Sequence, residues 1–334
     1  MTAQIGVGVV GLGFVGAGAH LPAFQKMKQA NLVAIADVNE KALSKQAKKH
    51  GVPATYTDYR KMLDDPQVQS VVVSVPTQHH APIAIAALEA GKHVLCEMPL
   101  APTLAEVDRV LAAAKKSGKI LMPSLNFRFT PNYVKAKQLI DDGVLGKPTA
   151  IMYREWIPAA DLAMQWPPGA CVWNLKETGG PLFTLAVWSI DLMRWLTGSD
   201  FTEISSCVEH FPIERTGGTL GYNAFVNYRF PGGVVANMQT SGSVAHACST
   251  SILEVIGDNT RSIKANWNNE ITLFGSDPDK QDWIYREGGG HRVWGHMQMD
   301  EHFCDCILQG RQPSISPEDG RRAVEVSLKI VGKA

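Results

Sequence analysis

The sequence predicts an α/β domain with a doubly wound parallel sheet, followed by an α+β domain built on an open-faced, mostly antiparallel sheet. In the first third of the chain, short β-branched runs alternate with helical segments, which is typical of a parallel sheet buried on both faces. Beyond about residue 125, extended segments follow one another with few helices between them. We therefore predict two domains, residues 1–124 and 125–334.

A glycine pattern at the end of the first strand predicts a nucleotide site. The β-branched run from Ile5 to Val10 leads into G-x-G-x-x-G, where Gly11 permits a sharp turn, Gly13 leaves room for a pyrophosphate and Gly16 allows close helix packing. The free N–H groups of the following helix would then face the phosphates. The predicted contacts of this loop are Gly11, Gly13, Phe14, Val15 and Gly16.

An acidic residue follows the second apolar run, which extends from Leu32 to Ala36. Asp37 stands where a carboxylate can accept hydrogen bonds from both ribose hydroxyls and repel a 2′-phosphate. The strand, the glycines and the acid together predict a Rossmann domain that binds NAD in preference to NADP. The alternative is a cofactor-free sheet whose glycines serve packing.

The order of the other elements follows from local signals. In the first domain we predict helices at 40–50, 58–63, 82–90 and after Thr103, and strands at 70–75, 93–96 and 120–123. In the second domain we predict a helix after Pro131, helices over 182–196 and after Ser316, and strands at 149–156, 202–210, 222–230, 233–240, 252–257 and 270–274. A sheet covered by helices on one side leaves one bare face, so we expect a homo-oligomer, a dimer or tetramer, formed through that face.

Composition narrows the class of protein. The 334 residues contain 45% apolar residues, with 32 Lys and Arg against 32 Asp and Glu. This balance gives no basic surplus for nucleic acid or an anionic membrane. The six cysteines form no C-x-x-C pair, and no signal-peptide pattern or membrane-length apolar run is present. We expect a reduced, cytoplasmic protein that acts on a small molecule.

The chain resembles the glucose–fructose oxidoreductase and inositol dehydrogenase (Gfo/Idh/MocA) family over nearly its whole length. The most specific match is the run from Ala90 to Glu97, and further matches include Asn126 to Pro131, Gly143 to Pro148 and the tail from Pro313 to Val326. The resemblance implies a Rossmann domain, an open-sheet substrate domain and a nicotinamide cofactor. It extends the predicted cofactor site to Pro76, Thr77, His80, Glu97, Met98 and Asn126.

Three positions depart from the family pattern. The family reads Glu-Lys-Pro where this chain reads Glu97-Met98-Pro99, and it carries an Asp and a His where spacing from Asp191 places Thr184 and Trp188. Neither Met nor Trp exchanges a proton at neutral pH, so the family's proton relay is absent. The family's catalytic residues are therefore not transferred to this chain.

Other side chains are candidates for the missing roles. Lys176 could be a desolvated base or a solvated loop residue, and Thr184 offers a hydroxyl that orients a substrate. Arg128 could hold a substrate carboxylate or pair with an acid of the protein, and His80 could contact the cofactor or pack a helix. The predicted stacking surface for a sugar or aromatic substrate comprises Trp156, Trp166, Trp173 and Trp188.

The region before the last helix contains possible metal ligands. His291, His296, His302, Cys304 and Cys306 fall within sixteen positions, but their spacing matches no common zinc pattern. We therefore predict no metal, and polar loop histidines followed by a helix.

Three functions fit these observations. The first is an NAD(P)-dependent oxidoreductase of a sugar, polyol or cyclic alcohol or ketone, with an altered proton relay. The second is a catalytically silent NAD-binding sensor, which the loss of all three polar positions favours. The third is a lyase or glycoside hydrolase that uses tightly held NAD, as some relatives of the family do.

Overall fold

The computed structural model describes residues 4–166, 170–217, 219–266, 269–275, 280–285 and 294–333. The described residues form two compact units. Unit 1 lies within Met1–Asn126 and Gly289–Val324, and unit 2 lies within Phe127–Gly288 and Glu325–Ala334.

The bounds of the regular elements are as follows. The strands are β1 (Ile5–Val10), β2 (Ala30–Ala36), β3 (Ala54–Tyr56), β4 (Ser70–Val73), β5 (His93–Cys96), β6 (Leu121–Pro123), β7 (Pro148–Pro158), β8 (Glu203–Ile213), β9 (Thr219–Arg229), β10 (Val235–Val244), β11 (Thr250–Gly257), β12 (Ser262–Asn266), β13 (Glu270–Phe274) and β14 (Gln281–Ile284). The α-helices are α1 (Leu21–Lys26), α2 (Glu40–His50), α3 (Tyr59–Leu63), α4 (His80–Glu89), α5 (Leu104–Ser117), α6 (Pro131–Asp141), α7 (Ala159–Gln165), α8 (Leu175–Thr178), α9 (Gly180–Thr197), α10 (His296–Gln309) and α11 (Pro317–Ile330).

Unit 1 contains a parallel sheet with strand order β3-β2-β1-β4-β5-β6. Every residue of β1 and β4 is buried, as the β-branched runs predict for central strands covered on both faces. Helix α5 begins and ends at its predicted caps. Thr103 accepts a hydrogen bond from the N–H of Glu106 at the start of α5, and Gly118 ends that helix with φ +65°. The predicted α/β fold of this part is confirmed.

Unit 2 contains a sheet with strand order β14-β13-β12-β11-β7-β10-β9-β8. The described pairs are antiparallel except β7 with β10. Along β7, Ile151, Tyr153 and Glu155 are buried, whereas Arg154 between them is exposed. Because side chains alternate across a strand, the sheet has an inner face, covered by α6, α7 and α9, and an outer face. The predicted open sheet is confirmed.

The predicted domain limits differ from the structure at one end. The division after Asn126 lies two residues from the predicted limit of 124, but the C-terminal segment up to Val324 belongs to unit 1 rather than to the second domain. Within unit 1, α10 packs against α1 and β1 and places buried Phe303 and Met299 in the core. This packing joins apolar residues that are distant in sequence. Local sequence patterns therefore do not predict that the C-terminal segment belongs to unit 1.

The sequence analysis did not predict several short elements. β12 and β14 contain Lys, Asn, Gln and Asp, which lower the strand signal, and their pairing with β13 forms them. Helix α7 directly follows Pro158, where the predicted strand was expected to end near Trp156. Among the helices of the described residues, none is long and apolar enough to cross a membrane.

Candidate functional site

The glycine loop after β1 has the geometry that dinucleotide binding requires. Gly11 has φ +94°, and a Cβ there would lie 2.1 Å from the carbonyl oxygen of Ser74. A Cβ on Gly16 would lie 2.0 Å from the carbonyl oxygen of Gly11, so the helix packs directly on the turn. A Cβ on Gly13 would meet nothing within 4 Å, which leaves open space beside the backbone. Gly13 and Phe14 are exposed, and Val15 is half-buried.

Asp37 lies beside this loop at the end of β2. Its Oδ2 accepts a 2.7 Å hydrogen bond from the N–H of Leu12, and its Oδ1 accepts a 2.8 Å bond from the N–H of Asn39. The carboxylate is thus fixed against the glycine loop with further lone pairs on each oxygen. These residues fit the adenosine ribose and pyrophosphate of a dinucleotide.

The helix that follows the glycine loop changes its hydrogen-bond pattern before a proline. Gly16–His20 form a π-helical turn, in which the N–H of Leu21 donates to the carbonyl oxygen of Gly16 five residues earlier. Pro22 has no N–H to continue the α-helical ladder, so the wider turn precedes α1. This turn directs the side chain of His20 into the interior, where it is fully buried.

His20 lies between two carboxylates. One ring nitrogen is 2.9 Å from Asp300 Oδ2 and the other is 2.9 Å from Glu97 Oε1, which also accepts a 2.7 Å hydrogen bond from Ser124. Burial alone would lower the pKa of His20, but the charge of Asp300 and the bonds to both carboxylates raise this pKa to about 10. His20 is therefore an imidazolium at neutral pH and donates to both acids.

The loops after β4 and β5 contain the other predicted cofactor contacts. Pro76 and Thr77 begin a 3₁₀ turn after β4. His80 is buried, with one ring nitrogen 2.7 Å from the carbonyl oxygen of Val75 and the other 2.7 Å from that of Pro99. His80 thus bridges these two loops, which is the packing alternative for this residue; its contact with the cofactor stays a prediction.

Met98 and Asn126 complete this set. Met98 is buried, and the amide Nδ2 of Asn126 donates a 2.6 Å hydrogen bond to the carbonyl oxygen of Trp294. The ring of Trp294 lies 6.5 Å from that of Phe14 at the glycine loop. The C-terminal segment therefore contributes an aromatic side chain next to the nucleotide loop of unit 1.

Helix α9 carries Thr184 and Trp188 one turn apart in unit 2. Thr184 is 7% exposed and Trp188 is half-buried. The ring of Trp188 lies 6.5 Å from that of Phe127, which lies 5.5 Å from that of Tyr133. An aromatic wall thus extends from α9 across the turn before α6 to the first residues of α6.

Arg128 follows Phe127 and pairs with an acid of the protein. Its Nε donates a 2.7 Å hydrogen bond to Asp191 Oδ2, and a second bond reaches Oδ1; Asp191 is buried and Arg128 is half-buried. Both residues belong to unit 2, so this pair links the turn before α6 to α9. The structure favours the ion-pair alternative for Arg128, and its contact with a substrate stays a prediction.

The remaining predicted residues lie elsewhere on unit 2. Lys176 is exposed on α8, so the desolvation that would make it a base is missing around its side chain. Trp166 and Trp173 meet edge to face at 6.1 Å, and both are half-buried. Trp156 lies on the outer face, where its ring is 5.2 Å from the guanidinium of Arg154, on the opposite side of the sheet from Glu155.

A buried polar row crosses the inner face at the carboxyl end of β7. Glu155 pairs in register with Ser251 of β11 on one side and with Thr240 of β10 on the other. Its Oε1 accepts a 3.1 Å hydrogen bond from Tyr153. Burial raises the pKa of Glu155 to about 7, although the bond from Tyr153 opposes this rise.

The residues weighed as possible metal ligands make other contacts in the structure. His302 Nε2 accepts a 3.0 Å hydrogen bond from the N–H of Ser314, and it lies 3.5 Å from the sulfur of Cys306. His296 is buried with its ring 5.7 Å from that of His20. His291 lies outside the described residues. Across the described ranges, no group of three His, Cys, Asp or Glu side chains is placed to hold a metal ion.

The fold and the glycine loop define a dinucleotide-binding protein of the Rossmann class. Residues 5–125 match the model of an oxidoreductase family with an NAD-binding Rossmann fold, and residues 133–262 match the Gfo/Idh/MocA C-terminal domain. Together these matches cover more than half of the chain. The chain belongs to the Gfo/Idh/MocA family of oxidoreductases, its cofactor is NAD, and the predicted resemblance is confirmed.

Similar proteins are dehydrogenases. Myo-inositol 2-dehydrogenase of Thermotoga maritima is 29% identical over 321 residues, which cover 95% of this chain and 92% of that protein. Levoglucosan dehydrogenase of Pseudarthrobacter phenanthrenivorans is 32% identical over 64% of this chain and 56% of its own length. A structure of levoglucosan dehydrogenase with NADH and L-sorbose superposes with a TM-score of 0.86 at 26% identity, covering 99% of this chain and 97% of that one.

Sequence reasoning missed three buried titratable residues. No local pattern distinguishes His20, and Asp300 is remote from it in sequence, so sequence reasoning could not pair the two. Glu155 could have been found from the sequence. In the predicted strand 149–156 it alternates in phase with Ile151 and Tyr153, which places an acid on the inward-facing side of the strand.

Proposed function

We propose that the protein is an NAD-dependent oxidoreductase that interconverts a hydroxyl and a carbonyl group on a sugar, polyol or cyclic alcohol, with a proton relay different from that of its relatives. The proposal is supported by the dinucleotide geometry of the glycine loop and Asp37, and by the presence of Met98, Thr184 and Trp188 at the family's relay positions in the sequence. NAD supplies the hydride chemistry when bound.

The chain's own residues have the roles of orientation and proton exchange. Thr184 can orient a substrate hydroxyl, and Trp188 with Phe127 offers an apolar surface on which a sugar ring can stack. Relatives named for inositol and levoglucosan support a polyhydroxylated cyclic substrate. Lys176 remains a candidate base, although its exposure weakens that role.

The test measures the change in reduced-nicotinamide absorbance with myo-inositol, levoglucosan and L-sorbose as substrates. We expect measurable turnover by the wild type on at least one of the three substrates. Lys176→Met tests the candidate base: a rate close to that of the wild type would place the base at another residue. The triple variant Met98→Lys, Thr184→Asp, Trp188→His should gain conventional polyol dehydrogenase activity, because it restores the family's relay. No turnover of any substrate by the wild type, with NADH still bound, would favour the sensor instead.

We further propose that the protein works as a homo-oligomer in the cytoplasm. Five exposed apolar side chains on the outer face of the unit 2 sheet support self-association: Phe225, Val235, Ile256, Phe274 and Ile284. All six cysteines are free, with Cys207 and Cys248 exposed, which supports a reducing compartment.

A further inference from the structure

We propose that Glu155 is the catalytic acid/base of this protein, exchanging the proton of the substrate hydroxyl in place of the family's missing relay. This inference rests on the proposed oxidoreductase function and assigns its proton-transfer group. The argument uses residues of unit 2 alone.

The first support is the burial of an acid that has no cation beside it. On the inner face, Ser251 and Thr240 flank Glu155, and buried Ile151, Leu253 and Val255 lie farther along β7 and β11. Burying a carboxyl group in this way is costly unless partners or function compensate. No cation among the described residues pairs with Glu155, whose one hydrogen bond there comes from Tyr153.

The second support is a chain of hydroxyl groups that ends at Glu155. Tyr133 of α6 lies 3.2 Å from Ser251, Ser251 donates to the hydroxyl of Tyr153 at 3.3 Å, and Tyr153 donates to Glu155 at 3.1 Å. Because each hydroxyl both donates and accepts, the chain can pass a proton from one end to the other. It therefore connects the buried carboxyl group with Tyr133 of α6.

The third support is continuity with the predicted substrate surface. Tyr133, where the hydroxyl chain begins, packs on Phe127, which in turn packs on Trp188. Successive contacts within unit 2 thus link the acid, the hydroxyl chain and the aromatic wall. Glu155 itself is 7% exposed, so its side chain still reaches solvent.

The step balances with the cofactor of the proposed function. In the oxidation direction the hydroxyl O–H bond would break toward the Glu155 carboxylate, and a C=O double bond would form as the carbinol carbon gives up the hydride that NAD accepts when bound. Glu155 then releases this proton to bulk water, which completes the step. In the reduction direction, protonated Glu155 returns the proton to the new alkoxide oxygen.

The environment sets the expected pH dependence. The titratable groups facing Glu155 are Tyr153 on its own strand, Tyr133 from α6 and Tyr222 from β9, all neutral near pH 7, while Ser251 and Thr240 flank it. Because the pKa of Glu155 is about 7, oxidation should rise as pH increases through 7, and reduction should fall.

The deciding experiment measures pH–rate profiles of oxidation by the full-length protein with myo-inositol and levoglucosan, and of reduction with L-sorbose, each with its nicotinamide cofactor. Glu155→Gln should lower kcat about a hundredfold or more, with NADH affinity unchanged. It should also abolish the limb of the pH–rate profile near pH 7, which is the rise of oxidation or the fall of reduction with increasing pH. Glu155→Asp should restore part of the rate. Two matched controls should behave as wild type: Glu254→Gln, on the outer face, and Tyr228→Phe, a buried tyrosine of the same inner face.

Tyr153→Phe gives an independent measure if Glu155→Gln does not fold. Loss of the hydrogen bond from Tyr153 should raise the pKa of Glu155, so the limb should move to higher pH. An unchanged limb in Tyr153→Phe, or wild-type kcat in Glu155→Gln, overturns the assignment while the oxidoreductase function stands. Absence of turnover by the wild type on all three substrates overturns both.

Discussion

At the scale of single residues, Asp37 connects cofactor choice to the glycine loop. Its two oxygens hold the N–H groups of Leu12 and Asn39, so the carboxylate is positioned before any ligand binds. A negative charge at this place favours ribose hydroxyls and repels a 2′-phosphate. Asp37 thus has both a structural and a selective role.

We expect NADH to bind the wild type more tightly than NADPH. Asp37→Ala should weaken NADH binding about tenfold or more, which corresponds to roughly 1.4 kcal/mol of binding free energy. The variant should also have a smaller preference for NADH over NADPH. Titration calorimetry with both cofactors measures this, and Asp64→Ala, an exposed acid of the same unit, is the control. Tighter binding of NADPH by the wild type would contradict the assignment.

His20 links stability to pH. Its pKa is about 10 in the folded protein and about 6.5 when unfolded, so the native state holds the extra proton between these values. The stabilisation is therefore complete below pH 6.5 and is lost as pH rises through 10. The free energy of unfolding should decrease by up to about 1.4 kcal/mol per pH unit in this window.

Urea unfolding at pH 6.5, 8 and 9.5 measures this dependence. His20→Gln should be less stable at pH 6.5, because two buried carboxylates lose a cationic partner, and its curve should be flatter. His79→Gln, an exposed histidine, should follow the wild type. Parallel pH curves for His20→Gln and the wild type would show that His20 is not the titrating group.

At the scale of elements, helix α9 places its functional positions by simple periodicity. Thr184, Trp188 and Asp191 share one face because residues three and four apart are neighbours on a helix. That face meets the turn of Phe127 and Arg128. The helix was predictable from its apolar run and glycine ends, whereas its partners on that face come from elsewhere in the chain.

Trp188→Ala should raise the dissociation constant of a polyol for the NADH-bound protein about tenfold, because the stacking surface is lost. Cofactor affinity and the melting temperature should change little. Calorimetry with myo-inositol measures the first, and Trp195→Ala, a half-buried tryptophan farther along α9, is the control. Failure of Trp188→Ala to fold would make this ring part of the core.

Sequence signals determined which elements could be predicted. Glu40–His50 was predicted at its observed bounds because Asn39 caps it and Gly51, with φ +64°, ends it. The strands β12 and β14 were not predicted, because pairing with β13 forms them. In the site, the glycine loop was predictable from local motifs, whereas the His20 and Glu155 clusters required the fold.

At the scale of the whole molecule, the two faces of the unit 2 sheet have different surroundings. Its inner face is covered by helices, and its outer face carries polar side chains with Phe225, Val235, Ile256, Phe274 and Ile284 exposed among them. Exposed apolar side chains spread over one broad sheet favour burial against another surface. In a homo-oligomer with twofold symmetry, the same face of a second copy is that surface.

We therefore expect the wild type to sediment as a dimer or tetramer at micromolar concentration. Phe274→Glu combined with Ile256→Glu should shift it toward the monomer, because both charges would be buried without partners in the interface. Leu308→Glu, a partly exposed apolar residue on α10 of unit 1, should leave the sedimentation unchanged. Analytical ultracentrifugation over a concentration series measures the equilibrium. If the double variant dissociates and Leu308→Glu does not, the outer face is the interface, whereas a monomeric wild type, or a double variant that stays assembled, would exclude it.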